Sequence, residues 1–296
     1  MLVATVVLAA LIHAQVHDRT LLHPPPRPPL TLWRAPAPAG AIRRPVSLTT
    51  RDDVTLSGWL YPVADGQAPW VLCFGSTRSD LAREAPRLRW LQSLGYNAVG
   101  FDYRGYGFSG GKPDGAAMRR DVVALYDEVA RKLAPSGAKI VVEGLAVGSQ
   151  FAIHVAAVRP VAGMILQSPL SSAQAQVAWY QHHGAGLLGK IVHYEPSEGW
   201  ETLVQGEREI REVHAPLLVI HGTDDEIVPI GEGQAVFAAS PATDKEFVPV
   251  LGAHHDDIGF SGGVVGEATA AFLHKLGEAS AIGRTGRTPG RADSSL

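Results

Sequence analysis

The sequence predicts an α/β fold, a mostly parallel sheet wound with helices and led by an antiparallel hairpin. Six short, nearly continuous apolar runs recur along the chain, as strands buried on both faces require. Segments with one apolar face at three- and four-residue steps lie between them, and two alternating segments precede them all.

In order, the hairpin is VSLTT and VTLSGWLY, within Pro45 to Tyr61, turned by Arg51, Asp52 and Asp53. The buried runs follow as WVLCF, YNAVGF, KIVVE, GMIL, PLLVI and EFVPV, beginning near Trp70, Tyr96, Lys139, Gly163, Pro216 and Glu246. Gly95 closes the helix before the second run, and Met118, Val122, Leu125, Val129 and Leu133 form one helical face before the third. Strand and helix in alternation wind into a sheet whose ligands sit beyond the carboxyl ends of its strands. These elements make one domain over residues 45–278.

The flanks differ. Met1 to Val16, MLVATVVLAALIHAQV, holds no charged side chain and is somewhat shorter than the roughly 20 residues of a membrane span. Residues 1–20 are expected to act as an uncleaved membrane anchor or a signal-like segment. A misassigned start and an apolar helix packed on the body are the alternatives. Arg19, Arg27 and Arg34 follow this stretch, so the positive-inside tendency would leave the body cytoplasmic, while a missing upstream basic region would reverse that. Residues 21–44, with PPPRPP and APAPAG, are expected to form a stiff extended linker, and residues 279–296 a disordered tail.

Composition narrows the function. Apolar residues are 46% and charged residues 19%, enough for a large core. With a formal net charge of -3 no broad positive field exists, which argues against a nucleic-acid partner. The single cysteine, Cys73, excludes an internal disulfide and is expected to be a small buried apolar residue. Nothing calls for a cofactor or a metal: His221, His254, His255, Asp256 and Asp257 cluster in sequence without a recognised ligand spacing.

The chemistry concentrates at strand ends. KIVVE runs into GLAVG, Gly144 to Gly148, and then into the helical SQFAIHVAAV. Strand, sharp turn and helix, with glycines two residues either side of the centre, is the layout of a nucleophile elbow, G-x-S-x-G. The central residue here is Ala146, whose methyl has no lone pair and no removable proton, so it cannot form an acyl-enzyme. PLLVI ends in HGTDDEIVP, His221 to Pro229, and EFVPV in GAHHDD, Gly252 to Asp257.

Together with LLHPPP, CFGST and GFDYRGYGFSGGKP, in this order and spacing, these strings resemble the α/β-hydrolase superfamily over Leu21 to Leu276. The nearest likeness is to its small-lid branch of serine peptidase-like and BEM46-like proteins. The resemblance implies Asp225 as triad acid, with Asp224 a turn residue, and His255 as triad base, with His254 in a position usually held by glycine. It implies oxyanion donors at the backbone N–H groups of Val147 and Ser76, the second weakened by Phe74 in place of a histidine. Arg104, Gly105, Gly107, Gly110 and Gly111 then shape the site wall. A small lid is expected over about 168–215, with Trp179, Tyr180 and Trp200 as pocket walls or lid core, and His182, His183 and His193 as packing or solvent-facing residues.

Ala146 has three readings: an engineered knock-out, a natural pseudoenzyme, or an enzyme whose nucleophile has moved. The absence of a tag favours a natural alanine. Ser149, the nearby hydroxyl, lies three residues into the helix, about 4.5 Å along its axis, and small-residue packing explains it better. The function expected is that of a membrane-associated hydrolase-type protein of ester, thioester or amide chemistry, inactive or severely impaired as written. Retention of an acyl or lipid-like ligand without cleavage is the alternative, and water activated directly by His255 a further one.

Overall fold

In the computed structural model, residues 12–16, 22, 24–33, 40–184 and 192–285 are described. The hairpin forms as read: β2 (Arg44–Thr49) pairs antiparallel with β3 (Thr55–Tyr61). Its turn is held by Thr50, whose hydroxyl donates to Asp52 Oδ1 at 2.6 Å and accepts from Val54 N at 3.1 Å, with Asp53 at φ 58°. The six apolar runs are β4 (Trp70–Phe74), β5 (Asn97–Phe101), β6 (Ile140–Leu145), β7 (Gly163–Gln167), β9 (Leu217–Gly222) and β10 (Lys245–Val250).

These eight strands form one sheet in the order β10-β9-β7-β6-β4-β5-β3-β2. It is antiparallel where β2 meets β3 and β3 meets β5, and parallel elsewhere. Successive side chains enter opposite cores. Leu72, Val99, Val142, Leu166 and Val219 join the core under the helices Gly115–Glu128 and Val147–Val158. Their neighbours Val71, Ala98, Val141, Ile165 and Leu218 join the core under Leu81–Ser93 and Gly263–Thr285. The central strands β4, β5, β6, β7 and β9 therefore send apolar residues to both faces, the parallel-sheet signature.

Several expectations change. The last five residues of the apolar N-terminal run are a strand, β1 (Ile12–Val16), paired in parallel with β8 (Val192–Pro196) of the lid; residues 1–11 lie outside the described part. Among the described residues no helix is long and apolar enough to cross a membrane. Within residues 21–44, Leu22 is buried, Leu30–Trp33 is a short helix, and Trp33 stacks on Trp59 with ring centroids 5.8 Å apart; residues 34–39 lie outside the described part. The final helix continues to Thr285, seven residues into the expected tail, whose remainder is outside the described part. Cys73 is buried, but its thiol donates to Glu143 Oε2 at 3.2 Å, so it belongs to a polar network.

The lid inserts between β7 and β9. It comprises the helices Ala173–Trp179, Glu198–Leu203 and Gly206–Ile210 together with β8. Trp200 is 2% exposed and belongs to the lid core, not to a pocket wall. Trp179 stacks on His183 and donates its indole N–H to Glu226 O at 3.2 Å; Tyr180 is exposed. His182 and His183 bond to carbonyls one helical turn back, and His193 lies in β8 opposite His13.

Candidate active site

Strand β6 ends at Leu145, Ala146 turns the chain at φ 51° and ψ −117°, and the helix starts at Val147. Such a backbone is costly for a residue with a Cβ. The turn is possible because of its glycines. A Cβ on Gly144 would lie 2.4 Å from Gly148 O, and one on Gly148 would lie 2.1 Å from Phe74 O and 2.6 Å from Gly75 O. The elbow helix thus touches, backbone to backbone, the loop after β4 that carries Ser76. Tyr103 fixes that loop by donating to Gly75 O at 2.7 Å. Val147, first residue of the helix, presents one of the amides that an α-helix leaves unbonded at its start.

At the ends of β9 and β10, Asp225 Oδ2 lies 2.8 Å from His255 Nδ1, and Asp225 Oδ1 accepts from the backbone N–H groups of Ile227 and Val228 at 3.0 and 2.8 Å. Both side chains are buried. Burial favours the protonated acid, but the imidazoles of His221 and His255 and the Val228 N–H outweigh it and hold the carboxyl well below the usual carboxylate range. His255 bonded through Nδ1 keeps Nε2 for a reacting group. Asp224 instead accepts from Thr223 Oγ1 at 2.9 Å and has no bond to the histidine.

The sequence offers His221 only as a metal candidate. It is fully buried, its Nε2 2.8 Å from Val228 O and 3.5 Å from Asp225 Oδ2, where it braces the acid loop. Gly233 makes room for it: a Cβ there would sit 2.2 Å from His221 Nδ1. His254 pairs outward with Glu226 at 2.9 Å, and that bond raises its pKa. The histidines therefore diverge, and among the described residues no group of three or more His, Cys, Asp or Glu side chains converges on a metal position.

The glycine-rich loop after β5 serves as scaffold. Arg104 clamps Asp121 with two bonds of 2.6 and 2.8 Å and reaches Asp52 of the hairpin turn at 2.9 Å. Gly105, Gly107 and Gly111 take positive φ, whereas Gly110 does not. Asp102, passed over in the sequence, accepts from Leu81 N and Phe108 N at 2.8 Å each, and burial pushes its pKa up to about 6.

Three hydroxyls lie near the elbow. Ser149 Oγ is buried and donates to Gly144 O at 2.9 Å, so it is committed to the sheet. Ser168, at φ 47° on the end of β7, is fully buried with its hydroxyl unbonded. Ser76 is half-buried, accepts from Arg78 N at 3.3 Å, and lines a cavity of about 180 Å³ together with His255, Leu145 and Gln167. That cavity is the space in front of the acid–base pair.

The family model described as "Serine aminopeptidase, S33" matches residues 79–199. An uncharacterised protein of Mycobacterium tuberculosis is 31% identical over 257 residues, 86% of this chain and 86% of its own. Protein bem46 of Schizosaccharomyces pombe is 26% identical over 260 residues, 85% of this chain and 84% of its own. Among solved structures, a Pyrococcus furiosus esterase superposes with a TM-score of 0.65 at 22% identity, over 87% of this chain and 97% of that one. A soluble variant of the monoglyceride lipase of Saccharomyces cerevisiae gives 0.61 at 15%, over 81% and 96%. At these identities the two structures show the fold alone.

Proposed function

Since the chain belongs to the α/β-hydrolase superfamily, in its small-lid, BEM46-like branch, we propose that it recognises ester, thioester or amide groups. We further propose that it turns them over only at a severely reduced rate. The observation that carries this reading is an acid–base pair in hydrogen-bonded register, Asp225 to His255 at 2.8 Å, beside an elbow whose central side chain is the methyl of Ala146. In a complete site the imidazole would take a proton from the elbow hydroxyl as it attacked the carbonyl. The N–H groups of Val147 and Ser76 would receive the negative charge, and the protonated imidazole would release the leaving group. Without that hydroxyl the first step has no attacking atom at the elbow, a loss worth about a millionfold in turnover. Retention of an acyl ligand without cleavage is the accompanying reading, favoured by Leu145, Ile258 and Phe260 as the apolar wall of the same cavity.

The test compares the chain with its Ala146→Ser variant on short p-nitrophenyl esters and a fluorophosphonate probe. Turnover should rise by at least about a thousandfold in the variant, with the probe mapped by mass spectrometry to residue 146. Comparable turnover by the unmodified chain, or labelling at Ser76, overturns the reading.

A further inference from the structure

The cavity in front of His255 is walled on one side by three arginines of a single segment, Arg78, Arg83 and Arg87. Arg87 is the innermost, with its side chain 3% exposed. Its Nε donates to Glu143 Oε1 at 2.9 Å. Its Nη2 lies 2.8 Å from the same oxygen, so Arg87 is held by Glu143 and carries a fixed positive charge behind the wall.

Two acids share the wall and hold their arginines loosely. Glu84 is 3.5 Å from Arg87 Nη1, and Asp256 is 3.3 Å from Arg78 in a pair whose members are 63% and 70% exposed. An exposed pair of this kind is readily exchanged for another partner. Arg83 bonds to Asp80, which also accepts from the Arg83 backbone N–H at 3.0 Å as the cap of its helix, leaving most of the guanidinium fork open; the side chain is 54% exposed. A planar fork with spare N–H groups matches a carboxylate or a phosphate.

We propose that this cavity is a subsite for an acidic group, so that the molecule recognised here carries a carboxylate or phosphate a few bonds from its ester, thioester or amide. This deepens the hydrolase-type reading above and rests on it for the position of the scissile bond. The acidic group is held by Arg78 and Arg83 at the rim, with the fixed charge of Arg87 behind them. The apolar wall of Leu145, Ile258 and Phe260 takes the intervening chain.

Binding is measured first on the unmodified protein at low ionic strength, by calorimetric titration with glutarate, inorganic phosphate and neutral glutaramide. Saturable binding of glutarate or phosphate, whichever source the arginines prefer, and none of glutaramide is expected. Binding should weaken at least tenfold in the double variant Arg78→Gln, Arg83→Gln. Both side chains are largely exposed, so this variant avoids stranding buried Glu143 as an Arg87 substitution would. Absence of binding by both anions, or binding indifferent to the double variant, overturns the proposal. In the Ala146→Ser background, the mono-p-nitrophenyl ester of glutarate should exceed p-nitrophenyl butyrate in kcat/KM by at least tenfold. The double variant should lose that preference. Turnover of both esters without preference defeats the acidic subsite while the hydrolase-type reading stands. Turnover of neither defeats that reading, and the titration still decides the subsite.

Discussion

The turn after β6 and the turns after β9 and β10 face one another across one site, yet they keep different things. Beyond β9 and β10 both the geometry and the reactive atoms are present, with Asp225, His255 and the bracing His221 in bonded sequence. Beyond β6 the geometry persists without the atom. Ala146 still occupies φ 51°, the flanking glycines still allow the close approach to Phe74 and Gly75, and nothing nucleophilic stands at the apex. The strained turn is therefore a property of how β6, the helix start and the β4 loop pack together. It does not depend on a hydroxyl at residue 146.

The largest effect lies on the acid–base side, once a nucleophile is supplied. With Ala146→Ser as background, Asp225→Asn should lower ester turnover by about 10⁴-fold, because the carboxamide stabilises the wrong imidazole tautomer. In the unmodified chain the same substitution is read out in stability. The folded-state pKa of Asp225 is depressed, so its contribution is complete above the unfolded carboxylate value of about 3.9 and is lost as pH falls through the lower folded value. The gap in urea stability between parent and Asp225→Asn should be constant from about pH 5 to pH 8 and close in strong acid.

On the elbow side, Gly148→Ala places a Cβ 2.1 Å from Phe74 O and should destabilise by about 3 kcal/mol in urea unfolding. A neutral outcome would mean that the β4 loop yields easily. Ala146→Gly should go the other way and stabilise by up to about 2 kcal/mol. Relief of an unfavourable φ, about 1–3 kcal/mol, outweighs the extra freedom of glycine in the unfolded chain, about 0.5–1 kcal/mol. The smallest effect belongs to His254. Its pKa is raised by exposed Glu226, so the pair's contribution is full below the unfolded histidine value of about 6.5 and is lost as pH rises through the higher folded value. His254→Gln should shift Tm slightly at pH 6 and not at pH 9.

Much of this was legible in the sequence because it is local. Apolar runs of strand length and glycines at fixed offsets in GLAVG depend on residues close together in the chain, whereas only the family resemblance separates Asp225 from Asp224. What escaped was assembled from afar. Arg87, Glu143 and Cys73 sit on a helix and two strands, and no pattern within any one of them announces the network they form across the sheet. The apolar run ending at Val16 was ambiguous in period, and a partner some 180 residues away settled its last five residues as strand. Trp33 read as linker because the surface that receives it, Trp59 and Phe108, is built from the hairpin and the glycine-rich loop.

That parallel pairing of β1 with β8 gives the N-terminal segment a mechanical office. Five backbone rungs, Ile12 opposite Val192 through Val16 opposite Pro196, tie the lid to the strand Ile12–Val16. Tension applied ahead of Ile12 is delivered to the lid as if along a leash, and a lid that lifts must either carry the leading strand with it or unzip it.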